Sequence, residues 1–188
     1  MTAVPRLGVV IVSVREGRVG KPVADWFLER ARQHGGFDVQ LVDLKDVGLP
    51  VLSEPNHPRL KKYTQEATKA WSATVESLDA FVFVTPEYNF STPPGLVNAL
   101  DHLYNEWLYK PAGFVSYGGI SGGLRATQMT RMMLATFKMV PMVEQVIVPF
   151  VAKEVKDGVF PGGELFDKSA KVMLDELLRW TQALRVLR

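Results

Sequence analysis

The sequence contains no cysteine. That absence excludes a disulfide framework, a thiolate nucleophile and any cysteine-ligated metal. It fits a reducing compartment, and the cytoplasm is the expected location. Histidine is scarce too: His34, His57 and His102 are scattered, with no ligand spacing around them, so no metal site is expected. No apolar run approaches the ~20 residues that a membrane span needs. The opening Met1-Thr-Ala-Val-Pro-Arg6 lacks the basic region and cleavage site of a signal peptide. Neither sign of charge dominates, and the net charge of +2 gives no argument for nucleic acid as a partner. Repeats, low-complexity segments and boundary signals are also missing, so residues 1–188 are expected to form one domain.

What is present is an ordinary globular composition, 47% hydrophobic and 22% charged. Apolar runs alternate with helical patterns along it. The stretch Phe81-Val-Phe-Val-Thr-Pro-Glu-Tyr-Asn-Phe-Ser-Thr-Pro-Pro-Gly-Leu-Val-Asn-Ala-Leu100 organises the rest. It opens as a buried strand rich in β-branched and aromatic residues. Thr85-Pro86 stops the strand, because Pro86 has no N–H for a ladder. Thr92-Pro93-Pro94 then starts a helix, with Thr92 as the expected N-cap. Between them lies the polar and aromatic loop Pro86-Glu87-Tyr88-Asn89.

Residues 7–13 read as a central strand, and a helix opens at Pro22 and ends at Gly35-Gly36. Residues 37–44 read as an edge or half-covered strand. A helix is expected from about Pro58, capped by Asn56, to about Ser77. Residues 111–117 form a fourth strand, and Gly118-Gly-Ile-Ser-Gly-Gly123 feeds another helix. A fifth strand within residues 140–151 is interrupted by Pro141 and Pro149, and a terminal helix covers 165–187. Strands alternating with helices predict a parallel sheet covered on both faces. Five strands suggest the flavodoxin-like order 2-1-3-4-5 in a three-layer α/β/α fold.

In such a sheet the loops after strands 1, 3 and 4 converge where ligands bind. The first suits a phosphate. Ser13 offers a hydroxyl, Arg15 and Arg18 offer charge-assisted donors, and Gly17 and Gly20 permit the positive φ of an anion nest before a helix N-terminus. It matches neither a Walker A loop nor G-x-G-x-x-G. The second loop suits a flat heterocycle, with Tyr88 covering a face and Asn89 bracing the turn. The third contains Gly119-Ile-Ser121-Gly-Gly123, which matches the G-x-S-x-G nucleophile elbow. That motif requires an acid and then a histidine later in the chain, whereas all three histidines precede Ser121. The usual hydrolase triad is therefore not available, and the glycines read as close backbone approach to a ring.

Three stretches resemble the NADPH-dependent FMN reductase family, including its quinone-, azo- and chromate-reducing members. They are Ser13-Val-Arg15-Glu-Gly-Arg18-Val-Gly20, Thr85-Pro-Glu-Tyr-Asn89 with Asn98-Ala-Leu-Asp101, and Tyr117-Gly-Gly-Ile-Ser-Gly-Gly123. The resemblance spans about residues 7–150. It implies a bound FMN, NADPH or NADH as hydride donor, a small-molecule electron acceptor such as a flavin or quinone, and a homodimer or homotetramer with the flavin near a subunit interface. Carried over by position, Ser13, Arg15 and Arg18, with Gly20, hold the phosphate. Pro86, Glu87, Tyr88 and Asn89 line the isoalloxazine, and Tyr117, Gly118 and Gly119 approach its other side. One departure stands out: many members carry a second Ser and an Asn in the first loop, where this chain has Arg18 and Lys21-Pro22.

The resemblance assigns no catalytic side chain, since flavin carries the chemistry itself. Two other classes compete: an electron-carrier flavodoxin, and a domain that kept the fold without activity. Flavodoxins are typically acidic and lack loop arginines, whereas this chain is at +2 with Arg15 and Arg18. Finally, Tyr104-Asn-Glu-Trp-Leu-Tyr109 is expected to expose aromatic side chains and, with Trp107 at its centre, to serve as the subunit interface.

Overall fold

A computed structural model of the chain describes residues 3–188. Its central strand, β1 (Arg6–Ile11), is buried from Leu7 onward. A strand covered on both faces needs apolar side chains in both directions, which is why this run does not alternate. β1 pairs in parallel with β2 (Asp38–Asp43) and, on its other side, with β3 (Ala80–Pro86). β3 pairs with β4 (Pro111–Tyr117), which pairs in turn with β5 (Val140–Pro141) and β6 (Val146–Val148). The order β2-β1-β3-β4-β5 is the expected flavodoxin-like one. The interrupted fifth strand becomes two short pieces on β4. Between them the chain loops out, held by Arg131, whose guanidinium donates to the Met142 carbonyl and to Gln145.

Side chains from alternate strand positions feed two cores, as the period of two requires. Leu7, Val9, Ile11, Val82, Val84 and Val115 face α1 (Gly20–His34) and the long terminal helix. Val10, Val12, Phe81, Phe83 and Phe114 face the other way, toward Trp71, Leu96, Leu100 and Leu134. Those four belong to, in order, α2 (Glu66–Glu76), α3 (Pro94–Asp101, which supplies two) and α4 (Leu124–Thr136). The terminal helix, α5 (Glu164–Leu184), buries Ala170, Met173, Leu174 and Leu177 against the first core.

Three expectations fail. The helix expected over residues 58–77 is broken. His57 caps a single 3-10 turn at Pro58–Leu60, Lys61 turns left-handed at φ 51°, and α2 starts only at Glu66. Glu54 explains the break, because its carboxylate accepts from the backbone N–H groups of Thr64 and Gln65 and so caps the later start. Thr92 is not an N-cap. Its hydroxyl is buried and bonded to Thr130 and to the Ala126 carbonyl, tying the start of α3 to α4. Trp107 is not at the surface. It is wholly buried, 5.0 Å from Phe81 and 5.9 Å from Trp71 between ring centroids, and its indole N–H bonds the Leu100 carbonyl. The aromatic run at residues 104–109 therefore closes the core and is not a Trp107-centred interface.

Candidate functional site

The three loops meet at the carboxyl edge of the sheet. A cavity of about 230 Å³ lies between them, lined among others by Ser13, Arg15, Arg18, Pro86, Tyr88, Tyr117 and Gly118. Gly17 has φ +64°, as the nest requires. Gly20 does not. It is the first residue of α1, and a Cβ there would stand 2.3 Å from the Tyr117 hydroxyl oxygen. Glycine at position 20 is required for space, not for left-handed backbone.

α1 begins without a cap of its own. Val19 gives no side-chain bond, and the first turn holds no acidic residue. Its N–H groups and dipole are therefore available to an anion. The Tyr117 hydroxyl, pressed against Gly20 at that helix end, is buried and finds no hydrogen-bond partner among the described residues. Burial, helped by the neighbouring Tyr88, pushes its phenol above the usual tyrosine range, so it stays protonated and able to donate. Ser13 lies close enough to oppose that shift, but its hydroxyl is engaged with the Tyr88 hydroxyl at 2.6 Å. A buried hydroxyl without a partner costs roughly 1–3 kcal/mol, which an incoming acceptor would recover. This orphan donor and the uncapped helix end fit a phosphate.

The two arginines part company. Arg18 donates to both carboxylate oxygens of Asp43, at 2.7 and 2.5 Å, and to the Ser13 carbonyl at 2.7 Å. Its charge is spent on bracing the loop. Arg15 is exposed, has no carboxylate partner among the described residues, and lies 5.6 Å from the Tyr88 ring centroid. Among the described residues, Arg15 is thus a cation at the cavity without an ion pair.

Glu87 turns away from the cavity toward α4. Its carboxylate accepts from the Arg125 backbone N–H at 3.0 Å, from Arg125 Nε at 2.6 Å and from the Ser121 hydroxyl at 3.1 Å. α4 starts after Gly123, which has no side chain to cap it, and Glu87 supplies the cap from another loop. Burial opposes ionisation of Glu87, but these donors prevail and hold its carboxyl below the usual range. Ser121 is thereby a strut between loops. Among the described residues no histidine bonds it, and the buried His102 bonds Thr68 and the Pro50 carbonyl. Asn98 joins His102 in pinning that segment, donating to the Pro50 carbonyl and accepting from Leu52 N–H.

Tyr88 and Ser91 exchange backbone hydrogen bonds around Asn89 and Phe90, whose φ values are 49° and 66°. In the third loop, Gly118 donates to the Val148 carbonyl and accepts from Val151, fixing the loop to β6 and the segment after it. Gly119 has open space where a Cβ would stand, so a planar ligand can reach its backbone. Sequence reasoning missed Asp43 and Arg125. Asp43 pairs with Ile11 across β2 and β1, so a carboxylate at that strand end facing a basic loop was the available signal. Arg125 falls four residues after Ser121, on the first turn of a helix with no capping side chain.

A doubly wound sheet with an uncapped helix end, an orphan donor and an exposed arginine at its carboxyl edge is the framework of a mononucleotide-binding α/β protein. The chain belongs to the NADPH-dependent FMN reductase family, whose model matches residues 5–153. It is 46% identical over 127 residues to an NAD(P)H-dependent FMN reductase of Schizosaccharomyces pombe, covering 66% of this chain and 64% of that one. It is 31% identical to one from Saccharomyces cerevisiae, with 93% of both chains covered. A relative 31% identical over 124 residues is a 2-hydroxy-1,4-benzoquinone reductase of a Burkholderia species. The fold matches that of the flavoenzyme NAD(P)H:(acceptor) oxidoreductase from Paracoccus denitrificans with a TM-score of 0.75 at 23% identity, over 96% of this chain and 98% of that one. Among the described residues, no helix is long and apolar enough to cross a membrane.

Proposed function

We propose that this protein binds FMN and uses NADPH or NADH to reduce a small acceptor of the flavin or quinone class. The observation that carries the reading is the Tyr117 hydroxyl, buried, and unpartnered among the described residues, at the uncapped start of α1. Tyr117, the first-turn N–H groups of α1 and Arg15 hold the phosphate, with Ser13 at the cavity wall. Arg18 and Gly20 shape that cradle from behind, one through Asp43 and the other by leaving room for Tyr117. Pro86, Tyr88 and Asn89 flank the ring on one side and Gly118 and Gly119 on the other, while Glu87 locks these two loops together. FMN supplies the hydride and electron chemistry when bound. The chain's part is binding, stacking geometry and exclusion of water, and no side chain is assigned as acid or base.

The whole chain acts as one FMN-binding domain, a reading supported by its single sheet. It works in the cytoplasm as a homo-oligomer. The absence of cysteine supports the first, and the exposed Met129 and Met132 on one face of α4 support the second. The electron-carrier reading predicts flavin binding without NAD(P)H turnover, and stopped-flow reduction of FMN-loaded protein by NADPH and NADH separates the two. For the phosphate site, Arg15→Ala should weaken FMN by about 10- to 100-fold, the loss of one charge-assisted contact. Riboflavin, which lacks the phosphate, should lose far less. Equal losses for both ligands would remove Arg15 from the phosphate site.

A further inference from the structure

A second cavity lies at the other edge of the sheet. Asp79 directly precedes β3 and Lys110 directly precedes β4, and both line a space of about 590 Å³ together with Glu106, Arg185 and Arg188. The three site loops lie at the far ends of the strands. β3 is 7 residues long, and at about 3.3 Å per residue the two edges stand roughly 20 Å apart. No residue lines both cavities, so they are separate sites.

The charges at this edge fall into two groups. Glu76 and Glu106 share Lys61, at 3.1 and 3.6 Å, and Glu106 also accepts from the Tyr63 hydroxyl at 2.9 Å and the Ser72 hydroxyl at 2.6 Å. The second group holds three cations and one carboxylate. Asp79 accepts from the Arg6 backbone N–H at 2.9 Å and pairs with Arg185 at 3.0 Å and Arg188 at 3.3 Å. Lys110, only 5% exposed, has no ion pair among the described residues. Its ammonium bonds the neutral Val75 and Glu76 carbonyls, which leaves one of its three donors over. The end of α2 accounts for those two bonds, but not for the arginines gathered beside them. Arg188 works against the Lys110 charge, as burial does. Buried charges are normally paired, and cations held together in this way call for an anion.

We propose that this cavity binds a small organic anion, with one oxyanion head, carboxylate or phosphate, on an uncharged body. The head sits against Arg185, Arg188 and the spare N–H of Lys110. Guanidinium forks match either kind of oxyanion. The volume is more than a bare ion fills and falls in the range of small-molecule pockets. Leu108, Tyr109 and Leu187 on the wall suit an uncharged body. A second anionic group would meet Glu76 and Glu106, so the site discriminates against it. The inference goes beyond the flavin reading and does not depend on it.

The test is calorimetry on the full chain with FMN in excess, using benzoate, phenyl phosphate, benzamide and inorganic phosphate as probes. At pH 7, benzoate or phenyl phosphate should bind about tenfold or more tighter than benzamide, which lacks the charge, and than inorganic phosphate, which lacks the body. The tighter of the two names the head. Arg188→Gln should weaken that ligand about tenfold, the loss of one charge-assisted contact. This variant leaves Asp79 its bonds to Arg6 and Arg185, so it carries the test even if Lys110→Met fails to fold. Arg15→Ala should leave the affinity unchanged. Raising the pH from 7 to 9 should weaken binding about tenfold, because the anion favours a charged Lys110 and the free lysine titrates at about 8. Equal binding of benzamide, no binding of either organic anion at millimolar concentration, no effect of Arg188→Gln, or an equal loss in Arg15→Ala would overturn the site. So would binding of inorganic phosphate as tight as that of the organic anions, which would mean an adventitious ion only. A chain that does not bind FMN would sink the flavin reading and leave these outcomes to judge the second cavity.

Discussion

The guanidinium of Arg18 and the carboxylate of Asp43 meet in a two-pronged pair that ties the loop after β1 to the end of β2. Their side chains are only 13% and 9% exposed. Removing one partner from such a pair leaves a buried charge, whereas removing both does not. Asp43→Asn should therefore destabilise the flavin-free protein by about 3–5 kcal/mol. Arg18→Met combined with Asp43→Leu should recover most of that loss. Urea denaturation of the single and double variants gives the coupling, and simple additivity would mean that the pair is not a unit.

The pair also shows where sequence reading reaches its limit. Strand order, layers and the three site loops were legible, because a buried parallel strand cannot alternate and because Gly and Pro punctuate each loop. Ser13, Arg15 and Tyr88 line one cavity at the ends of those loops. The roles of Arg18 and Glu87 were not legible, because each is set by a partner 25 or 38 residues away, Asp43 and Arg125. Periodicity says which face a residue takes, but not which charge waits there. The broken helix at residues 58–65 has the same origin, since Glu54 and Glu106 pull Thr64 and Tyr63 out of the helical pattern.

Gly20 and Tyr117 make a second coupled pair. Gly20→Ala places a methyl group 2.3 Å from the Tyr117 oxygen, so the ring or the helix start must move. Overpacking of this kind costs typically about 1–3 kcal/mol. Tyr117→Phe removes the atom in conflict and should restore much of the stability lost in Gly20→Ala. Alone, it relieves the apo protein of an unpartnered hydroxyl and should weaken FMN by about 0.5–1.5 kcal/mol, the net worth of one hydrogen bond. Thermal melts with and without FMN read both effects. An unchanged FMN increment in Tyr117→Phe would exclude the hydroxyl from the site.

Trp107 gives a prediction about assembly by its burial. Trp107→Ala should open a cavity beside Phe81 and Trp71 and cost about 3–5 kcal/mol. Subunit association, followed by sedimentation at concentrations where the variant stays folded, should not change. A shift in association with stability intact would return this segment to an interface.

Lys110 carries a pH signature. The residue is 5% exposed, and its ammonium donates to the Val75 and Glu76 carbonyls at the end of α2, at 2.7 and 3.4 Å. Cations are favoured at a helix C-terminus. Burial nevertheless dominates and, with the nearby Arg188, lowers the pKa to about 8 against the pull of Asp79, Glu76 and Glu106. An unfolded lysine titrates near 10.4. Between these values the unfolded chain binds more protons than the folded one, so stability should rise as the pH rises from about 8 toward 10.4. The full span is on the order of 3 kcal/mol at 1.36 kcal/mol per pKa unit. Lys110→Met removes the group, while the other lysines and the tyrosines titrate alike in both proteins. The stability gap between wild type and variant should therefore move in favour of wild type from pH 7.5 to 9.5. Urea midpoints at the two pH values measure it. Parallel behaviour of the two proteins would show that the Lys110 ammonium is as well solvated in the fold as outside it.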